Sequence, residues 1–220
     1  MLRLNLLHSK ALAVPPAVRK LARECRTDLL QNLLPPIPRI RLCSIAVPHL
    51  RQGQLSFAER QKIAQAVRII ISPALNRVRK GDIPDPNAFI EYLIEEAAYN
   101  LAMHGGGGVI LISIVSQDHK RAIEIAARDF GVGIPAVDDL IAFEERLLLR
   151  AETQIGAYIP RQKGLVYMVS HADQMDVETL AVKWRTAPVK PKKLAQIGTS
   201  SVVRGTYILL LKFAPAVWVD

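Results

Sequence analysis

The chain is poor in the residues that mark several common protein classes. Among its 220 residues there are two cysteines, Cys25 and Cys43, without CxxC spacing and without histidines at metal-ligand spacing. A disulfide scaffold, a zinc site and thiol redox chemistry are therefore not expected, whereas a reduced, cytoplasmic setting is. Aromatic residues make up 5%, too few to interleave with basic side chains as a stacking platform for single-stranded nucleic acid. No stretch approaches the roughly 18 uncharged apolar residues of a membrane span; the best, Ile69 to Leu75, is short and lies between Arg68 and Arg77. The start mixes Arg3, His8 and Lys10 with leucines rather than placing a basic cap before an apolar run, so a secretory signal is not expected. Neither GxGxxG after the first strand nor GxxxxGK[ST] occurs, which argues against a doubly wound dinucleotide fold and a P-loop.

Apolar material is plentiful. The chain is 50% hydrophobic and 22% charged with a mean hydropathy of +0.17, a balance that excludes wholesale disorder. Its length suits one full domain with an appendage, or two small domains. The net charge of +9 is unevenly placed: residues 1–80 hold 15 Lys and Arg against 3 Asp and Glu, while residues 81–220 are mildly acidic. Two parts with different partners are expected, the first with an anionic one. After Pro15 and Pro16, residues Val18, Leu21, Ala22, Cys25, Leu29 and Leu33 recur at helical spacing, with Arg19, Lys20, Arg23 and Arg26 on the other side. This basic amphipathic helix needs an apolar partner, either the main domain or a second copy of the chain in a homodimer. Leu34-Pro35-Pro36-Ile37-Pro38 reads as a stiff linker, because each ring fixes its own backbone angle and restricts its predecessor. The boundary falls there, giving an extension over 1–38, a domain over 39–213 and a tail over 214–220.

Within the domain, Arg39 to Val47 reads as a strand, and Ser56 with Glu59 as the capping box of a helix reaching Lys80. Asp85 caps a second helix with Pro86 in its first turn, running to the glycines Gly105 to Gly108. Two strands follow, Val109 to Val115 and Arg121 to Ala127, joined by a polar hairpin turn. A helix over Ala136 to Arg150, a loop to Lys163 and a helix from Gly164 to Ala172 come next. One strand from Val177 to Trp184, a polar segment and a last strand from Thr206 to Phe213 complete the order. Neighbouring strands with grouped helices predict an α+β two-layer sandwich, in which a mixed, mainly antiparallel sheet carries helices on one face.

Chemistry concentrates in two places. Phe89, Leu93, Ala97 and Leu101 make an apolar stripe on the second helix, and beside it Glu96, Asn100 and His104 also repeat every four residues. A carboxylate, an amide and an imidazole therefore share one face. Such a row can hold a hydrated Mg²⁺ against phosphate oxygens and orient a water or hydroxyl; it is equally the polar rim of a capped helix. The second place is Asp129-Phe130-Gly131-Val132-Gly133, directly after a strand. An aspartate there can accept a hydrogen bond from an exocyclic amine, and the glycines let backbone approach a ligand closely. The same residues also make a plain Asp-Gly turn.

Taken in order, the pieces are Glu96-Ala97-Ala98-Tyr99-Asn100-Leu101-Ala102-Met103-His104-Gly105, a hairpin, Asp129-x-Gly131-x-Gly133, a basic loop, Gly164-Leu165 and Gly205-Thr206. Over about residues 40–213 this series resembles the nucleotide-binding domain of the GHKL (histidine kinase-like) ATPase/kinase superfamily, and within it the bacterial anti-sigma-factor serine/threonine kinases and related switch kinases. The resemblance implies a Bergerat-type ATP-binding fold, ATP and Mg²⁺ as cofactors, and transfer of the γ-phosphate to a serine or threonine of a regulatory partner protein, with a sigma-factor-like protein as a further partner. It implies Asn100 as the Mg²⁺-binding asparagine, Glu96 as the catalytic carboxylate that orients or deprotonates the acceptor, and His104 beside them. Asp129 is similar to the adenine-reading acid, Gly131 and Gly133 to the pocket floor, and Thr206 to the threonine that supports the acid. Residues 136–163 correspond to a lid over the phosphates in which Arg146, Arg150, Arg161 and Lys163 neutralise charge, while Gly164 and Leu165 start a helix whose N–H groups face phosphate.

The chain departs from the family at Gln162, which stands where the second glycine box, GxGL, has its first glycine, and in a lid poor in Gly, Ser and Thr. These departures favour ATP binding over turnover, and with it the alternative of a nucleotide-dependent protein-binding switch. Neither His8-Ser9 nor His49-Leu50 fits a phosphoacceptor helix, so a histidine-kinase-like ATPase module would act in trans. A nucleic-acid-binding arm over residues 1–80 is the least favoured reading.

Overall fold

Runs such as Gly108-Val109-Ile110-Leu111-Ile112 are apolar on both faces of the pleat, and strands of that kind need cover on both sides. In the structure, a computed structural model that describes residues 34–47, 93–117, 120–137, 164–187 and 193–213 together with residues 65, 139, 141 and 142, these runs form one seven-stranded sheet. Its strands are β1 (Arg39–Val47), β2 (Gly108–Gln117), β3 (Lys120–Asp129), β4 (Gln174–Thr179), β5 (Val182–Thr186), β6 (Leu194–Thr199) and β7 (Thr206–Phe213), in the spatial order β1-β2-β3-β7-β4-β5-β6. Every pair is antiparallel, so the sheet, expected to be mixed, has no parallel pair among the described residues. Two short helices accompany it, α1 (Glu95–Met103) and α2 (Gly164–His171). Among the described residues no helix is long and apolar enough to cross a membrane.

Register aligns the core in rows. Ile45, Ile110, Ala127, Ile208, Val177 and Trp184 are successive cross-strand neighbours, as are Ile112, Ile125, Leu210 and Met175. Both rows meet Leu93, Ala97 and Leu101 of the α1 segment and Leu165, Met168 and Val169 of α2 in one apolar cluster, so both helices cover the same face. The stripe expected at Leu93, Ala97 and Leu101 is the buried one, widened by Ile94, Ala98 and Ala102.

The opposite face alternates apolar residues with buried charge. Val109, Leu111, Ala126, Tyr207 and Leu209 cluster with Leu34 and Val202. Around them Glu124, Asp176 and Glu178 are buried, each with a cation. Arg39 Nε reaches Glu124 at 3.1 Å, Arg185 forms a fork on Asp176 at 2.8 and 2.6 Å, and Lys183 Nζ lies 2.6 Å from Glu178. Ser200 Oγ also donates to Glu178.

Two expectations are corrected. The single strand from Val177 to Trp184 is a hairpin, β4 and β5, turned at Leu180 and Ala181 with φ of 49° and 63°. Turns of this hand usually carry Asn or Gly, so nothing in the residue types marks it. The polar segment after it contains β6, whose residues after Leu194 are exposed; a strand exposed along its length needs no apolar alternation. The helices expected before Lys80 and over Ala136 to Arg150 lie mostly outside the described residues, as do the extension before Leu34 and the tail.

Replacing Arg39 by alanine leaves Glu124, 1% exposed, without its cation. Loss of one partner of a fully buried pair costs about 3–5 kcal/mol; because Arg39 is itself 21% exposed, a loss of about 2–3 kcal/mol is expected, readable by urea unfolding.

Candidate functional site

Odd-numbered residues of β3 face the helices, so the strand delivers Asp129 to that side at its very end. Asp129 Oδ1 accepts from the backbone N–H groups of Gly131 and Thr206, both at 2.9 Å, and the Thr206 hydroxyl bonds the same carboxylate. Burial raises the Asp129 pKa above the ordinary carboxylate value; the hydrogen bonds and the Arg128 charge act the other way without cancelling it. The position depends on two glycines. A Cβ on Gly105 would overlap Asp129 Cβ and stand 2.9 Å from its Cγ, and one on Gly205, whose φ is +72°, would stand 2.9 Å from Asp129 Oδ1. Neither position admits a side chain while the acid stays in place.

α1 ends against this acid. The N–H of Gly105 donates to the Asn100 carbonyl at 3.0 Å, and the Gly105 carbonyl accepts from the Phe130 N–H at 3.1 Å. One residue thus joins the end of the asparagine-bearing helix to the loop after Asp129. A turn before Asn100, Glu96 Oε1 accepts from the N–H of Gly164 at 2.8 Å. That places a carboxylate at the N-terminus of α2, where free N–H groups and the helix dipole favour negative charge. Glu96 and Asn100 are both half-buried and, four residues apart, lie on one side of α1.

The site residues expected from the sequence divide accordingly. Asp129, Gly131 and Thr206 are in direct contact, Gly133 lies in the turn that follows, Glu96 touches the head of α2 at Gly164, and Asn100 stands one turn further along α1. His104 is exposed, its ring edge-on to Tyr99 with centroids 6.3 Å apart, and it is its carbonyl that lies against Gly131. Leu165 is packed in the core. Arg161 and Lys163, with Arg146, Arg150 and Gln162, lie outside the described residues. Sequence reasoning missed Thr179. Buried at 1% exposure, its hydroxyl accepts from the Ile134 N–H at 2.9 Å and donates to the Gly205 carbonyl at 3.1 Å, tying the Gly133 turn to the loop that carries Thr206. Its only sign in the sequence is a threonine at the end of the alternating stretch Met175-Asp176-Val177-Glu178.

Among the described residues no three His, Cys, Asp or Glu side chains gather around a metal-sized site. A Mg²⁺ held by one amide oxygen, water and phosphate needs no such cluster, and Asn100 beside Glu96 offers hard oxygen donors of that kind. In comparisons with known proteins, no family model matches the chain and no curated protein is significantly similar to it in sequence.

The electrostatics are open to test. With its folded-state pKa raised, ionised Asp129 opposes folding once the pH rises above the ordinary carboxylate value of about 4. Asp129→Asn is expected to withstand urea better than the parent at pH 7, the difference shrinking toward about pH 4. Gly205→Ala is expected to lower stability by more than about 1 kcal/mol at either pH, because alanine is strained at positive φ.

Proposed function

We propose that this chain binds ATP with Mg²⁺ in a Bergerat-type domain of the GHKL kind and acts as an anti-sigma or switch-type kinase on a serine or threonine of a partner protein. The observation that carries the reading is Asp129: a desolvated carboxylate at a strand end, oriented by two backbone N–H groups and a hydroxyl. A carboxylate has about four acceptor positions, so capacity remains for an exocyclic amine, and the glycine-lined backbone around it suits a flat ring.

In this reading the purine lies at the Gly131–Gly133 turn and the phosphates run toward Asn100 and the start of α2. Bound Mg²⁺ supplies charge neutralisation on the phosphate oxygens. The Asn100 side-chain oxygen helps to hold that charge in position. Glu96 exchanges the Gly164 N–H for the acceptor hydroxyl and takes or directs its proton as the oxygen attacks the γ-phosphorus and ADP leaves. The released N–H groups of α2 then face phosphate. Phosphoryl transfer asks mainly for positioning and charge compensation, which this short set can provide.

A second reading, a nucleotide-dependent protein-binding switch without turnover, is favoured by one contact: the carboxylate needed as base is engaged at the head of α2. Calorimetry and labelling separate the cases. Asp129→Asn is expected to weaken ATP binding by about 1–3 kcal/mol, the range for a hydrogen bond to a charged group; unchanged affinity sinks the adenine assignment. With γ-labelled ATP and co-purifying proteins, Glu96→Gln is expected to keep nucleotide binding and lose transfer, while Asn100→Ala loses the Mg²⁺ dependence of binding. Tight binding by the parent chain with no transfer to any partner decides for the switch.

A further inference from the structure

Three polar residues close the helix-covered side of the sheet, one on each of three neighbouring strands. Thr179 of β4 is the cross-strand partner of Thr206 of β7, and the Thr206 N–H donates to Asp129 at the end of β3. They stand two residues from Val177, Ile208 and Ala127, which form one cross-strand row of the core, so all three share its face. Thr179 is the most deeply placed, and its hydroxyl is engaged in both senses: it accepts from the Ile134 N–H at 2.9 Å and donates to the Gly205 carbonyl at 3.1 Å. The two loops joined in this way are the ones that aim the acid. Gly131 in the first and Thr206 in the second supply the N–H groups on Asp129 Oδ1. The first loop rests directly on the hydroxyl, since a Cβ on Gly133 would stand 2.7 Å from Thr179 Oγ1.

The backbone that follows Thr179 is held in an unfavourable shape. Leu180 and Ala181 have φ of 49° and 63°, a region that side chains other than those of Asn and Asp seldom enter. Such strain persists only where the surroundings over-determine it, and here they do. The Ala181 N–H donates to the Val202 carbonyl and the Ala181 carbonyl accepts from the Ser200 N–H, both at 2.8 Å, while Leu180 Cδ2 would stand 3.0 Å from a Cβ on Gly133. The strained turn is thus fixed against the same two loops that the Thr179 hydroxyl joins.

We propose that Thr179 is a positioning residue for nucleotide binding: its hydroxyl sets the separation of the Gly131–Gly133 turn from the Gly205–Thr206 loop, and thereby the donors that aim Asp129 at its ligand. The last step, from the aimed carboxylate to a purine, rests on the ATP reading. The link from Thr179 to Asp129 rests on the hydrogen bonds and holds for any ligand.

Two measurements keep these links apart. The first needs no nucleotide and follows the titration of Asp129 by its carboxyl carbon resonance. Thr179→Val is expected to raise the midpoint by about half a pH unit or more, because loosened Thr206 donors favour the charged form less, while Arg128, the charged group that acts on Asp129, is unaltered. Thr179→Ser keeps the hydroxyl and is expected to return the midpoint to that of the parent. Thr186→Val is the control: the Thr186 hydroxyl accepts from the Met175 N–H at 3.0 Å at the other end of β4, so its loss costs the fold a comparable bond and leaves the titration where it was. A midpoint unmoved in Thr179→Val, or moved equally in Thr186→Val, overturns the proposal. If Thr179→Val does not fold, the parent decides: its Ile134 amide and Thr179 methyl resonances are expected to shift at the Asp129 midpoint, and flat ones overturn it. The second measurement is calorimetry with ATP and Mg²⁺. Binding is expected to weaken about ten-fold in Thr179→Val and to stay within about two-fold of the parent in Thr179→Ser and Thr186→Val. A parent that binds no ATP takes down the nucleotide reading itself, whereas a parent that binds ATP no better than Thr179→Val takes down only the role of Thr179.

Discussion

One carboxylate sets the terms for the end of the sheet where β3, β7 and α1 meet. Asp129 is half-buried at the end of a strand, and an acid partly withdrawn from water is tolerated only if its oxygens find donors and its neighbours make room. The donors are the N–H groups of Gly131 and Thr206 with the Thr206 hydroxyl. The room is made by Gly105 and Gly205, whose missing side chains are the space that Asp129 fills. Thr179 then braces the loops that carry these groups, reaching Ile134 on one side and Gly205 on the other. Each part has a geometric reason to be what it is, and the reasons converge on a single side chain.

The two faces of the sheet solve different problems. Toward α1 and α2 the rows through Ile110 and Ile112 are wholly apolar, and burial there supplies the main drive to fold. The other face carries Asp176 with Arg185 and Glu178 with Lys183 as directly opposed cross-strand pairs of β4 and β5. Buried ion pairs add little net stability. Their effect is on register, because a slip of one residue would turn both acids toward the helices and into the apolar core. That matters in a hairpin whose turn, Leu180-Ala181, holds no glycine or asparagine to fix it.

Those same pairs explain what could and could not be read from the sequence. β1, the hairpin of β2 and β3, α2 and β7 were legible because apolar runs, a polar turn or a helical stripe announce them within a few residues. β4 and β5 merged into one strand because the turn between them depends on positive φ at Leu180 and Ala181, a cost repaid only by pairing that the chain acquires after folding. β6 stayed hidden because an exposed edge strand leaves no periodic trace. At the site, Asp129 and its glycines were visible as a motif, and the Glu96–Asn100 row as a spacing. Thr179 was invisible, since its role exists only through residues 45 and 26 positions away.

The choice of acid at position 129 itself bears on function. An amide there could accept from Gly131 and Thr206 through its oxygen without any charge to desolvate, so a purely structural turn would be better served by asparagine. The carboxylate instead raises the free energy of the folded domain at neutral pH, because burial disfavours its charged form. Proteins keep such locally unfavourable groups where a ligand returns the free energy on binding. A donor that meets Asp129 in its partly desolvated setting gains a charge-assisted bond worth roughly twice a neutral one. A strong, partly desolvated acceptor of this kind is what the proposed adenine-binding role asks of position 129, and that role does not depend on whether Glu96 leaves the head of α2.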